Sequence, residues 1–140
     1  MALVGLMQTL AIEGAKYDIR VNCIAPTAST RMTEGLTPDA IAPLLKPELV
    51  SPAVLALASD NAPTRAILCA GAGVVERAFV TLTSGVFVGA VDDAPEEILA
   101  QLADISDRQG ETVPDSAAAQ ITQEASKAFM ALQRNGETHA

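Results

Sequence analysis

Two short runs rich in β-branched and apolar residues, 19–26 (IRVNCIAP) and 66–70 (AILCA), limit what this chain can fold into. Each has the length and composition of a buried strand. The segment between them carries two helix-start signals. Thr37-Pro38-Asp39 offers an N-cap, a proline at the first helical position and an early acid, and Ser51-Pro52 opens the compact apolar run AVLALAS. Pro43 and Pro47 interrupt the first of these helices, and the turn Asp60-Asn61-Ala62-Pro63 ends the second. Strand, helical connection and strand make a βαβ unit, which belongs to a parallel sheet covered by helices. The fold class this predicts is α/β.

The flanks extend the unit. Residues 1–17 (MALVGLMQTLAIEGAKY) have helical composition, with Gln8, Thr9, Glu13 and Lys16 on one arc and a break at Asp18. Residues 1–7 carry no polar side chain, so this end is expected to be covered on more than one side. Gly71-Ala72-Gly73 turns the chain out of the second strand. Residues 74–88 hold two β-prone runs, VVERAFVTLT and VFV, which read as a hairpin joined at Ser84-Gly85. The rest reads as a helical acidic tail, with helices over 95–108 and 116–134 on either side of a linker at 110–114. The second helix gathers Ile121, Ala125, Phe129 and Leu132 on one face. The division expected is 1–92 for the α/β part and 93–140 for the tail. Two parallel strands and a hairpin leave long unpaired edges, so the chain reads as one end of a larger sheet.

Composition narrows the function. With 140 residues, 49% of them hydrophobic, the chain has material for one core. A formal net charge of −8 argues against nucleic acid and anionic membrane as partners, and suits a cytoplasmic protein. Residues 1–12 do not read as a signal peptide, since a basic leader is missing and Gln8 and Thr9 come early, and no run is long enough to span a bilayer. Cys23 and Cys69 lie in apolar runs without Cys-x-x-Cys spacing and read as reduced core residues. The single histidine is His139, which removes His-based dyads and His-rich metal sites. Asp92, Asp93, Glu96 and Glu97 sit at a helix start, where acids favour the dipole, so no metal site is expected.

The polar loop after the first strand is the candidate site. Ligands of open parallel sheets gather beyond the carboxyl ends of the strands, and Thr27, Ser29, Thr30 and Thr33 leave that end with hydroxyls and amides for an amide, a phosphate or a sugar. By composition alone it reads first as a polar surface loop with small residues.

The order AIEGAKYDIRVNCIAP resembles the segment after the catalytic tyrosine and lysine of short-chain dehydrogenases/reductases, where a long helix leads to a strand ending in N-x-I-x-P. The longer run IRVNCIAPTASTRMTE, followed by LLKPELVSPAVLALASD and a later GAG, is similar to the (3R)-hydroxyacyl-CoA dehydrogenase part of multifunctional β-oxidation enzymes. The resemblance covers residues 1–90 well and the tail more loosely. It implies the C-terminal part of a Rossmann-type doubly wound parallel sheet, NAD as cofactor with NADP as the alternative, a 3-hydroxyacyl/3-oxoacyl-CoA type thioester as substrate, and a homo-oligomer formed through the first helix. Carried onto this chain, Pro26 takes the place of the family's loop proline and Thr27 that of its glycine. Ala28 and Ser29 would offer amides to the nicotinamide carboxamide, and Thr30 a hydroxyl. The proline-to-threonine spacing is one residue shorter than in the family, which makes Ser29 the alternative for that role. Arg31, Met32 and Thr33 would face the substrate, with Met32 either touching an acyl chain or simply packing.

The family's glycine-rich phosphate turn, ribose-reading residue, catalytic serine and Tyr-x-x-x-Lys pair have no counterpart in these residues. Tyr17 follows Lys16 directly and cannot replace the pair, and Gly71-Ala72-Gly73 lacks the third glycine and following helix of a dinucleotide fingerprint. No catalytic residue is therefore assigned. The chain is expected to be a C-terminal fragment, a truncated product or one with its start placed too far downstream. Two functions follow: part of an oxidoreductase, or a non-catalytic remnant or pairing subunit.

Overall fold

The computed structural model describes residues 1–116 and 118–137; Ala117 and His139 lie outside the described residues. Contacts divide the chain into two compact units, Met1–Phe79 and Val80–Ala140.

The first unit is built on a three-stranded mixed sheet. Strands β1 (Cys23–Thr27) and β2 (Ile67–Gly71) are parallel, and β3 (Val74–Ala78) runs antiparallel to β2, giving the order β1-β2-β3. Helix α1 (Ala2–Gly14) ends in a 3₁₀ turn at Ala15–Tyr17, and Asp18 takes a left-handed conformation (φ 54°) that redirects the chain toward β1. Alternation along β1 puts Cys23 and Ile24 on opposite faces. The Cys23 thiol lies 3.7 Å from the Leu3 carbonyl oxygen of α1, whereas Ile24 packs on Val50 and Ala53 at the start of helix α2 (Ser51–Leu57). The sheet therefore carries a helix on each face. Its core is small: Met7 and Ala11 of α1, Val50 and Ala53 at the start of α2, Ala62 and Ala66 on the approach to β2, and Ala70 within it.

Several elements differ from the sequence reading. The first strand begins at Cys23 rather than residue 19, because residues 20–22 are held by side chains and loop backbone instead of a ladder. Asn22 donates from Nδ2 to the Pro63 carbonyl (2.7 Å) and accepts at Oδ1 from the Ala66 amide (3.0 Å). The helix expected after Thr37 is replaced by turns and two short 3₁₀ segments, Ala42–Leu44 and Pro47–Leu49. Prolines at 43 and 47 withhold the amides a longer helix would need. The hairpin pairs β3 back onto β2 through Ala72 and Gly73, both at positive φ (52° and 79°), and residues 86–88 form no strand. Two left-handed residues in a two-residue turn match the twist of the flanking strands, which is why the bend falls there and not at Ser84-Gly85. The apolar start of α1 is open on one side: Leu3 is 73% and Leu6 54% exposed.

The second unit contains α3 (Ala94–Ala100), α4 (Leu102–Ile105) and α5 (Ala119–Glu137). The helix expected over 95–108 is interrupted at Gln101, which leaves the helical region (φ −96°, ψ 13°). An isolated antiparallel bridge joins Leu82 to Thr112. Gln123 donates to the Thr83 carbonyl (2.6 Å) and Lys127 to that of Gly85 (2.5 Å), tying α5 to the 83–85 segment. Arg108 grips Glu111 through two bonds of 2.9 and 2.8 Å, and these, with a bond from Thr81, hold the Glu111 carboxyl below the usual carboxylate range. The group's effect is present at neutral pH and is lost as pH falls through its lowered pKa. Because the pair faces water, that effect is small. None of the described residues of this unit is fully buried. Among the described residues no helix is long and apolar enough to cross a membrane.

Candidate functional site

The parallel pair ends flush, with Thr27 opposite Gly71. A Cβ on Gly71 would stand 2.8 Å from the Thr27 carbonyl oxygen and 2.9 Å from its Cβ, so only glycine lets the two strand ends approach this closely. The chain leaves β1 at Thr27 and enters the candidate loop at the carboxyl end of both parallel strands, where ligands of open α/β sheets bind.

Each expected residue can now be placed. Pro26 and Thr27 are the last two residues of β1 and are exposed. Ala28 is half-buried and packs on the Val50–Ala53–Ala70 cluster, anchoring the loop to the core. Ser29 is half-buried too, and its amide donates to the Leu45 carbonyl at 2.7 Å. That amide is satisfied inside the chain and is not offered outward, contrary to the expectation for Ser29. The Thr30 amide is likewise engaged, donating to the Thr33 hydroxyl oxygen at 2.8 Å. The Thr30 side chain is exposed, and its oxygen accepts from the Met32 amide at 3.3 Å. A hydroxyl can donate while it accepts, so Thr30 presents a proton to whatever approaches the loop. Arg31 is exposed, and Met32 is 92% exposed, so Met32 contributes nothing to the protein's own packing. Thr33 is half-buried and hydrogen-bonded back to the loop's origin: its hydroxyl lies 3.2 Å from the Ala28 and 3.1 Å from the Thr30 carbonyl oxygen. Thus the loop brings Ala28, Ser29, Thr30 and Thr33 together, while Arg31 and Met32 project from it.

Two features escaped the sequence. Asn22 enters the sequence reading only as the first residue of the N-x-I-x-P motif, yet it joins the start of β1 to the 63–66 segment. Gln123 and Lys127 carry α5's contacts, although the apolar pattern of that helix pointed to its other face. A groove of about 560 Å³ lies beside them, lined by Leu82, Phe87, Ile98 and Ile105. The Lys127 ammonium there is held by the Gly85 carbonyl. Among the described residues no group of three His, Cys, Asp or Glu side chains could hold a metal ion.

No family model matches the chain. Individual proteins do. A Mycobacterium tuberculosis protein named for the short-chain type dehydrogenases/reductases is 37% identical over 113 residues, which is 79% of this chain and 38% of that protein. Peroxisomal multifunctional enzyme A of Dictyostelium discoideum is 37% identical over 123 residues, covering 87% of this chain and 27% of the enzyme. The solved structure of full-length peroxisomal multifunctional enzyme type 2 from Drosophila melanogaster superposes with a TM-score of 0.69 at 26% identity, over 95% of this chain and 24% of the fly protein. Fold, loop position and sequence together make the chain a relative of the short-chain dehydrogenases/reductases. Within them it is related to the dehydrogenase portion of the peroxisomal multifunctional enzymes, and it spans less than two fifths of the length of these relatives.

Proposed function

We propose that this chain supplies the nicotinamide-side loop of a short-chain dehydrogenase/reductase that moves a hydride between NAD(H) and C3 of a 3-hydroxyacyl/3-oxoacyl-CoA type thioester. The observation that carries the reading is the Thr30 hydroxyl, exposed in a hydrogen-bonded loop at the carboxyl ends of β1 and β2. When bound, the nicotinamide accepts or donates the hydride. The residues present fit its carboxamide end. Thr30 would donate to the carboxamide oxygen, while Pro26, Thr27, Ala28 and Ser29 would shape the strand end and the turn that hold the nicotinamide side of the cofactor. Arg31 and Met32 project on the substrate side, with the exposed Met32 thioether suited to an acyl chain. NAD is favoured by the family resemblance, and NADP is the alternative. The Rossmann-type doubly wound sheet is part of the proposal: β1 occupies an edge that a further parallel strand would pair. So is a homo-oligomer formed through the exposed leucines of α1, and a cytoplasmic setting suggested by the acidic composition.

A second reading is a non-catalytic remnant or pairing subunit, favoured by the absence of a Tyr-x-x-x-Lys pair from these residues. A loop alone grips only one end of a dinucleotide, so micromolar affinity is not expected. Titrating the isotope-labelled chain with NADH to about 10 mM, roughly where a ligand making few contacts saturates, should shift the amide resonances of residues 27–33. Shifts confined to other regions, or none, would refute the cofactor-side assignment.

A further inference from the structure

We propose that Thr33 is a positioning residue, the latch that holds residues 28–33 in the one conformation that offers the Thr30 hydroxyl, and not a substrate contact. The inference rests on the cofactor-side reading of Thr30 given above. Its basis is how many loop groups converge on one half-buried hydroxyl. The Thr33 oxygen accepts from the Thr30 amide at 2.8 Å, and the same hydroxyl reaches the Ala28 carbonyl at 3.2 Å and the Thr30 carbonyl at 3.1 Å. A hydroxyl has one proton, so only one carbonyl takes it at a time. The Thr30 carbonyl already accepts the Thr33 amide at 2.9 Å, which leaves Ala28 the more needful partner. Ala28 in turn packs on Val50, Ala53 and Ala70. One side chain thus connects the exposed tip of the loop to the core beneath it. The Met32 amide, bonded to Thr30 Oγ1 at 3.3 Å, then limits the Thr30 rotamer from the other side. With Thr33 so engaged, its only proton is committed inside the loop and it cannot donate to a substrate, whereas Thr30 retains its proton.

Hydrogen exchange of the full chain tests this directly. Thr30 is an exposed residue, so its amide should be protected only if the latch is closed. Thr33→Val, which keeps the shape and removes the hydroxyl, should speed Thr30 amide exchange by about 2- to 10-fold, the size of one net hydrogen bond. Thr33→Ser should restore slow exchange. An unprotected Thr30 amide in the wild type overturns the latch without any variant, and so does exchange unchanged by Thr33→Val. Cofactor shifts at residues 27–33 should weaken by a similar factor in Thr33→Val and persist in Thr33→Ser. Shifts that survive Thr33→Val undiminished overturn the positioning role. A wild-type chain with a protected Thr30 amide and no NADH shifts overturns the cofactor reading, and the positioning role with it, while the exchange data still establish the latch.

Discussion

Asn22 shows how much one side chain can decide in a chain with few large core residues. Its amide group bonds the Pro63 carbonyl and the Ala66 amide at once, and Ala66 is only 1% exposed. Removing the side chain leaves a buried backbone N–H without a partner, which costs about 1–3 kcal/mol. Asn22→Ala should therefore lower stability by about 2 kcal/mol in urea unfolding. Asn22→Asp, which keeps an acceptor for the Ala66 amide but loses the donor to Pro63, should fall between. Equal stability of all three proteins would show that water replaces the bridge. None of this was legible in the sequence, because both partners lie more than forty positions along the chain. The loop residues were legible as a group from their place after a strand. Their individual duties were not, since whether an amide points outward depends on whether Leu45 or Thr33 has already taken it.

At the level of elements, local chemistry located the parallel pair and α2 well, and it failed where tertiary hydrogen bonds or turn geometry took over. The hairpin is the clearest case. Gly71-Ala72-Gly73 was read as a turn, but the strand it feeds folds back onto β2, with Ala72 in a left-handed conformation that costs an L-residue about 1–2 kcal/mol. Asparagine tolerates that conformation better, and Asn-Gly is the preferred pair for such a turn. Ala72→Asn should therefore raise stability by about 0.5–1 kcal/mol, seen as a higher urea midpoint with unchanged slope. A lower midpoint would mean that the turn is not left-handed at both positions. Helix α5 gives the opposite lesson. Ile121, Phe129 and Leu132 do share a face, yet they are 67, 63 and 61% exposed, and the helix is held by Gln123 and Lys127 instead. Apolar periodicity identifies a helix and its stripe, but not which surface the stripe will meet.

For the molecule as a whole the balance lies between apolar surface and charge. Leu3, Leu6 and Leu10 stand 73, 54 and 43% exposed along one side of α1, flanking the Met7 and Ala11 side that meets the sheet. Covering three partly exposed leucines on each of two copies is worth roughly 7 kcal/mol at the usual value for a buried leucine. That only matches the lower end of the roughly 4–15 kcal/mol lost on association. The net charge of −8 on each copy opposes the encounter further. Self-association through α1 should accordingly be weak at low salt and strengthen as salt screens the repulsion, since the Debye length shortens from about 30 Å at 0.01 M to about 10 Å at 0.1 M while apolar burial is unaffected. Sedimentation equilibrium across that range should show the average mass rising with salt. Leu3→Gln combined with Leu6→Gln should hold it at the monomer value without altering the charge. A mass that falls with salt would mean that ion pairs, not the α1 leucines, join the copies, and a monomer at every salt concentration would leave the exposed side of α1 without a role in self-association.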